Sequence, residues 1–84
     1  MPESDAQITV SVSLRSILAR YRPDPKNREP FAVTLKGGAT VADLVARLGV
    51  PAKLAHLIFI DHVRSDDTSA LQDGANVDIF PPNI

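Results

Sequence analysis

Hydrophobic residues alternate with small hydroxyl residues from Gln7 to Leu14, placing Ile8, Val10, Val12 and Leu14 on one side and Thr9, Ser11 and Ser13 on the other. A period of two marks a half-buried strand. Arg15 to Tyr21 has Ile17, Leu18 and Tyr21 at near-helical spacing, enough for about one turn. Pro23, Pro25 and Pro30 then punctuate a charged stretch, which predicts an exposed loop. Alternation resumes at Phe31 to Leu35, where Phe31, Val33 and Leu35 point inward on a second strand.

After a turn at Gly37-Gly38 the period changes. Val41, Leu44, Val45 and Leu48 recur at i, i+3, i+4 and i+7, the apolar stripe of a helix. Thr40 is placed to cap it, with Asp43 in a capping-box position. Gly49 stands at the C-terminal cap, and Pro51 prevents continuation. Leu57 to Ile60 is too short for a helix and apolar on both parities, so it is expected to be a strand covered on both faces. Asp61 to Ser69 reads as polar loop with a short edge strand near Val63-Arg64, and an Asp73-Gly74 turn leads into a last strand, Val77 to Phe80. Pro81-Pro82 lack the N–H groups a sheet ladder needs and hold φ near −65°, so the chain is expected to leave the domain extended there. The order β-β-α-β-(β)-β, with one helix on a small mixed sheet, predicts an α+β roll.

Composition narrows the chemistry. At 84 residues the chain is expected to form one domain, 1–84, with a flexible polar segment at 1–7. It has no cysteine, hence no disulfide, thiolate metal site or thiol nucleophile. Its longest apolar run, Leu57 to Ile60, is far short of a membrane span, and Met1 to Gln7 resembles neither a signal nor a transit peptide; a cytoplasmic location is expected, without membrane contact. The net charge of −1 argues against a nucleic-acid partner. Charge is nonetheless uneven: Arg15, Arg20, Arg22, Lys26 and Arg28 come early, whereas Asp61, Asp66, Asp67, Asp73 and Asp78 share the last third with Arg64. Such asymmetry would steer a charged partner, although ordinary solvated loops are the simpler reading.

Candidate catalytic and metal groups are absent from the pattern. His56 and His62 flank a strand rather than sharing metal-ligand spacing, and Asp66-Asp67 lack the further carboxylates of a calcium loop. Ser11, Ser13, Ser16, Ser65 and Ser69 lie in no nucleophile motif, and Gly37-Gly38 is too brief to cradle a phosphate. No catalytic residue, metal or cofactor is therefore assigned.

Two segments carry a resemblance. Gly38-Ala-Thr-Val-Ala-Asp-Leu-Val-Ala-Arg-Leu48 and the more specific Leu71-Gln-Asp-Gly-Ala-Asn-Val-Asp-Ile-Phe-Pro-Pro82 resemble the ubiquitin-like β-grasp sulfur carriers of the MoaD/ThiS family, which includes the small subunit of molybdopterin synthase and the thiamine-biosynthesis carrier. The resemblance spans about Ile8 to Pro82 and implies a β-grasp roll. It further implies a larger partner, either an activating enzyme or a synthase large subunit. In that family the chain ends in Gly-Gly, and an activating enzyme adenylates the terminal carboxylate before sulfur replaces the adenylate. Glycine suits this chemistry because the lack of Cβ lets the end thread a narrow channel.

This sequence departs there. Asn83-Ile84 stand in place of glycines, and the tail is about two residues shorter than the family pattern, or about 7 Å in extended chain. Reacting atoms must approach within about 3.5 Å, so a poor sulfur carrier is expected. Asp61-His62 also occupy a corner where relatives carry an Asn turn, most simply a different turn sequence.

Partner contact is therefore expected around the last strand. If Val77 and Ile79 face the helix, Asp78 and Phe80 lie on the open face of the sheet. One parity of Leu57 to Ile60 must share that face: Ile58 and Ile60, taken here as the candidates, or else Leu57 and Phe59. With Pro81, Pro82, Asn83 and Ile84 these form the candidate partner-binding set. The leading expectation is a non-catalytic ubiquitin-like protein docking through its open face and tail. The alternative is a working sulfur carrier for molybdopterin or thiamine-type cofactor synthesis, and an RNA- or nucleotide-binding β-grasp module rests only on the early basic cluster.

Overall fold

The structure, a computed structural model, describes residues 6–24, 26 and 30–82. Five strands and one α-helix follow the expected order: β1 Gln7–Leu14, β2 Phe31–Lys36, α1 Val41–Leu48, β3 Leu57–Ile60, β4 Val63–Ser65 and β5 Asn76–Phe80. Short 3₁₀ turns at Ser16–Tyr21 and Ala52–Leu54 fill the connections. The sheet order is β2-β1-β5-β3-β4. β1 and β5 run parallel, with Ser11 beside Asn76 and Leu14 beside Ile79, while the other neighbours are antiparallel. The first and last strands thus lie side by side in the middle of the sheet.

The alternating pattern of β1 and β2 turns Val10, Val12, Leu14, Val33 and Leu35 toward α1, and all five are buried. The helix answers with Val41, Leu44 and Val45, and Leu48 packs half-buried at the edge. Each such buried aliphatic side chain contributes about 1.5–3 kcal/mol relative to exposure, which is why the helix persists at eight residues.

Both ends of α1 carry caps. The Asp43 N–H donates to Thr40 Oγ1 at 3.4 Å, and the Thr40 N–H donates back to Asp43 Oδ2 at 2.8 Å, completing a capping box. Gly49 ends the helix at φ 76°, in the left-handed region that a side chain would resist. Loop carbonyls take up the remaining free amides: the Val41 N–H donates to Ser69 O and the Ala42 N–H to Asp67 O, each at 3.0 Å.

Aspartates lock the other corners. Asp73 Oδ1 accepts from the Thr9 N–H at 2.8 Å, tying the Asp73-Gly74 turn to β1. Asp61 Oδ1 accepts from the Asn76 N–H at 2.9 Å. Asp61 and His62 form the two-residue β3–β4 turn, with φ of 51° and 69°. Both values are left-handed, as a type I′ hairpin turn requires. The surface corner whose residues departed from the family pattern is thus a turn.

Candidate functional site

The helix covers one face of the sheet. On the other face, register decides which side chains meet. Leu57 lies opposite Phe80, and Phe59 lies opposite Asp78. Val77 and Ile79 are buried beneath α1, so Asp78 and Phe80 occupy the open face, as parity predicted.

The phase of β3 is the reverse of the one chosen from sequence. Ile58 pairs with Ile79 and is 3% exposed, inside the core, and Ile60 pairs with Val77 and packs half-buried against it. The physical reason is register. The bond from the Asp61 N–H to Asn76 O at 2.8 Å fixes β3 against β5. Period two then sends Ile58 and Ile60 to the helix side and Leu57 and Phe59 to the open side. Nor is β3 covered on both faces among the described residues: Leu57 and Phe59 are half-buried, with no described helix over them.

Phe59 and Phe80 form an edge-to-face pair, ring centroids 5.8 Å apart and planes at 83°. This geometry sets the positive ring edge against the negative face. Arg15 leans over Phe80, its guanidinium carbon 5.8 Å from the ring centroid, and donates to Asp78 Oδ1 at 3.0 Å. One arginine therefore binds both a carboxylate and a ring. These four residues, joined by His62, line a shallow depression of ≈ 370 Å³. Arg15 was visible in the sequence only as one of the early basic residues. No local signal links it to Asp78, because the pairing arises from the β1–β5 neighbourhood.

Pro81 and Pro82 follow directly, half-buried and outside any strand. Asn83 and Ile84 lie outside the described residues, as do most of residues 1–7 and Arg28. Among the described residues no group of three or more His, Asp or Glu side chains is placed to hold a metal ion. The Asp66 carboxylate is already engaged, accepting from the Thr68 hydroxyl at 2.6 Å and the Thr68 N–H at 3.0 Å. Those bonds, the hydroxyl first, hold its pKa below the ordinary aspartate value. No helix among the described residues is long and apolar enough to cross a membrane.

No family model matches the chain, and no curated protein matches it. Solved structures do. The HVO 2177 protein of Haloferax volcanii superposes with a TM-score of 0.72 at 17% identity, over 100% of this chain and 95% of that one. A protein named as molybdopterin converting factor, subunit 1, from Pyrococcus furiosus gives 0.68 at 19% identity, over 90% and 99%. SAMP1 of Haloferax volcanii gives 0.65 at 18% identity, over 89% and 96%. The chain has the ubiquitin-like β-grasp fold. The likeness read from 38–48 and 71–82 is thereby borne out at the level of the fold. Within that β-grasp, the aromatic pair sits where the last strand runs out into Pro81-Pro82.

Proposed function

We propose that this β-grasp chain is a non-catalytic docking protein, which binds a larger partner enzyme through Phe59, Phe80 and Leu57 on the open sheet face and through the stretch from Phe80 onward. The observation that carries this reading is the half-buried Phe59–Phe80 pair on a face that no helix covers among the described residues, flanked by Arg15 and Asp78. Aromatic residues and arginine on a partly desolvated patch are the groups that dominate association energies. Pro81 and Pro82 extend the patch, because their fixed φ costs little further entropy on binding. Asn83 and Ile84 belong to the same proposed contact.

The test is co-purification of the tagged chain from its source cells, with partners identified by mass. A large enzyme retained by the native chain and lost with Phe80→Ala or Phe59→Ala is the expected result. Equal retention by both variants overturns the reading.

A second reading, a sulfur carrier for molybdopterin or thiamine-type synthesis, is favoured by the fold likeness to the Pyrococcus furiosus protein. Incubation with ATP, an activating enzyme and a sulfur donor separates the two. A terminal thiocarboxylate, seen by mass as replacement of one oxygen by sulfur, supports the carrier; an unchanged mass supports the docking protein.

A further inference from the structure

A second recess lies on the helix side of the sheet, away from the aromatic patch. It measures ≈ 480 Å³ and runs between α1, the Ala52–Leu54 turn and the 64–67 stretch that continues β4. Its apolar lining is mostly short: Ala42, Ala46, Val50, Ala52 and Ala55, with Ile58 among the larger residues. Alanines at these positions leave a hollow that leucines would fill.

β4 ends the sheet, and among the described residues no strand pairs with its outer side. Register specifies what that edge offers. The two-residue Asp61-His62 turn makes Ile60 and Val63 a hydrogen-bonded pair, and Phe59 and Arg64 the non-bonded pair that follows. The N–H and C=O of Arg64 therefore point away from β3. Beside them Val63 is 66% exposed, one of the two large apolar side chains exposed among the described residues.

Charge marks the same place. Asp24, Asp43, Asp61, Asp66, Asp73 and Asp78 all have a carboxylate oxygen bonded to an N–H or a guanidinium. Asp67 is the one aspartate among the described residues whose carboxylate has no partner, and it lines this recess.

We propose that the outer edge of β4 and the adjoining recess bind an extended peptide segment of a partner protein by strand addition. The peptide residue opposite Arg64 exchanges two main-chain hydrogen bonds with it. A neighbouring apolar side chain of the peptide fills the alanine-lined hollow, and a lysine or arginine faces Asp67. The contact uses the outer edge of β4 and the helix-side recess rather than Phe59 and Phe80, so it is tested separately from the docking reading above, although Arg64 lies opposite Phe59 in the sheet.

The probe is a random peptide library displayed on phage and selected against the full chain. Expected winners are extended sequences pairing an apolar residue with a basic one, and their binding shifts the Arg64 amide resonance. Ala42→Phe, which fills the hollow from an exposed helix position, is expected to abolish binding. Arg64→Pro, which removes an outward N–H without breaking a β3 bond, is expected to weaken it about tenfold. Asp67→Lys is expected to do the same, with unchanged far-UV dichroism confirming the fold of each variant. Phe80→Ala is expected to leave these peptides bound. Selection of no peptide, of peptides displaced by Phe80→Ala, or of peptides indifferent to Ala42→Phe and Asp67→Lys overturns the proposal.

Discussion

Replacing Ile58 and Phe59 by alanine, one at a time, separates the two faces of β3. Ile58 is 3% exposed between Ile79 and the helix. Ile58→Ala removes three carbons, worth about 2.4 kcal/mol at 0.8 each, and the cavity left behind raises the loss to about 3–4 kcal/mol. A domain of 84 residues holds roughly 4–13 kcal/mol in total, so the loss is at least about a quarter of the whole. Phe59 is half-buried and loses its ring contact with Phe80 together with modest burial, about 1–2 kcal/mol. Urea titration followed by circular dichroism reads both. With m near 1 kcal/mol/M, the midpoint falls by about 3–4 M for Ile58→Ala and by about 1–2 M for Phe59→Ala. A larger loss for Phe59→Ala than for Ile58→Ala would refute the assigned phase of β3 and, with it, the composition of the docking patch.

Other substitutions test single features. Thr40→Ala opens the capping box and is expected to cost about 1 kcal/mol, read as a thermal midpoint lower by about 4–8 °C. His62→Gly relieves a side chain held at φ 69° and is expected to raise the midpoint by a few degrees, about 0.5–1 kcal/mol. Arg15→Ala breaks an exposed ion pair and is expected to change stability by less than about 1 kcal/mol, while raising the dissociation constant for any partner seated on Phe80. Asp66 has a lowered folded pKa, so the unfolded chain binds its proton first on acidification. Its contribution is complete above about pH 4, the unfolded value, and is lost as pH falls through the folded value. Acid titration of native and Asp66→Asn protein is expected to show a weaker acid limb in the variant.

Much of this fold was legible because local signals agreed. Strict alternation at 7–14 and 31–35, the stripe Val41, Leu44, Val45 and Leu48, and the Thr40, Asp43 and Gly49 caps each name an element unaided, and each stands where the pattern placed it. β5 was readable to the level of which residues face the helix, because Val77 and Ile79 contrast with Asp78. β3 was not. Leu57, Ile58, Phe59 and Ile60 are all apolar, so periodicity carries no phase, and the pairing with β5, held at its ends by the bonds from Asp61 to Asn76 and from His56 to Phe80, chooses one. The candidate site followed suit: Phe80 was readable from parity, while Phe59 depended on the register and Arg15 on a contact across most of the chain. Asp67 looked like one more solvated aspartate until its neighbours proved to be bonded.

The side-by-side parallel placement of β1 and β5 has a mechanical consequence. A pull on the end beyond Phe80, resisted at the start of β1, drives the two strands in opposite directions along their own axes. Their bonds are then loaded in shear and must give way together rather than unzip one by one. An enzyme that grips the carboxyl end can therefore tug hard without unravelling the body to which that end is attached.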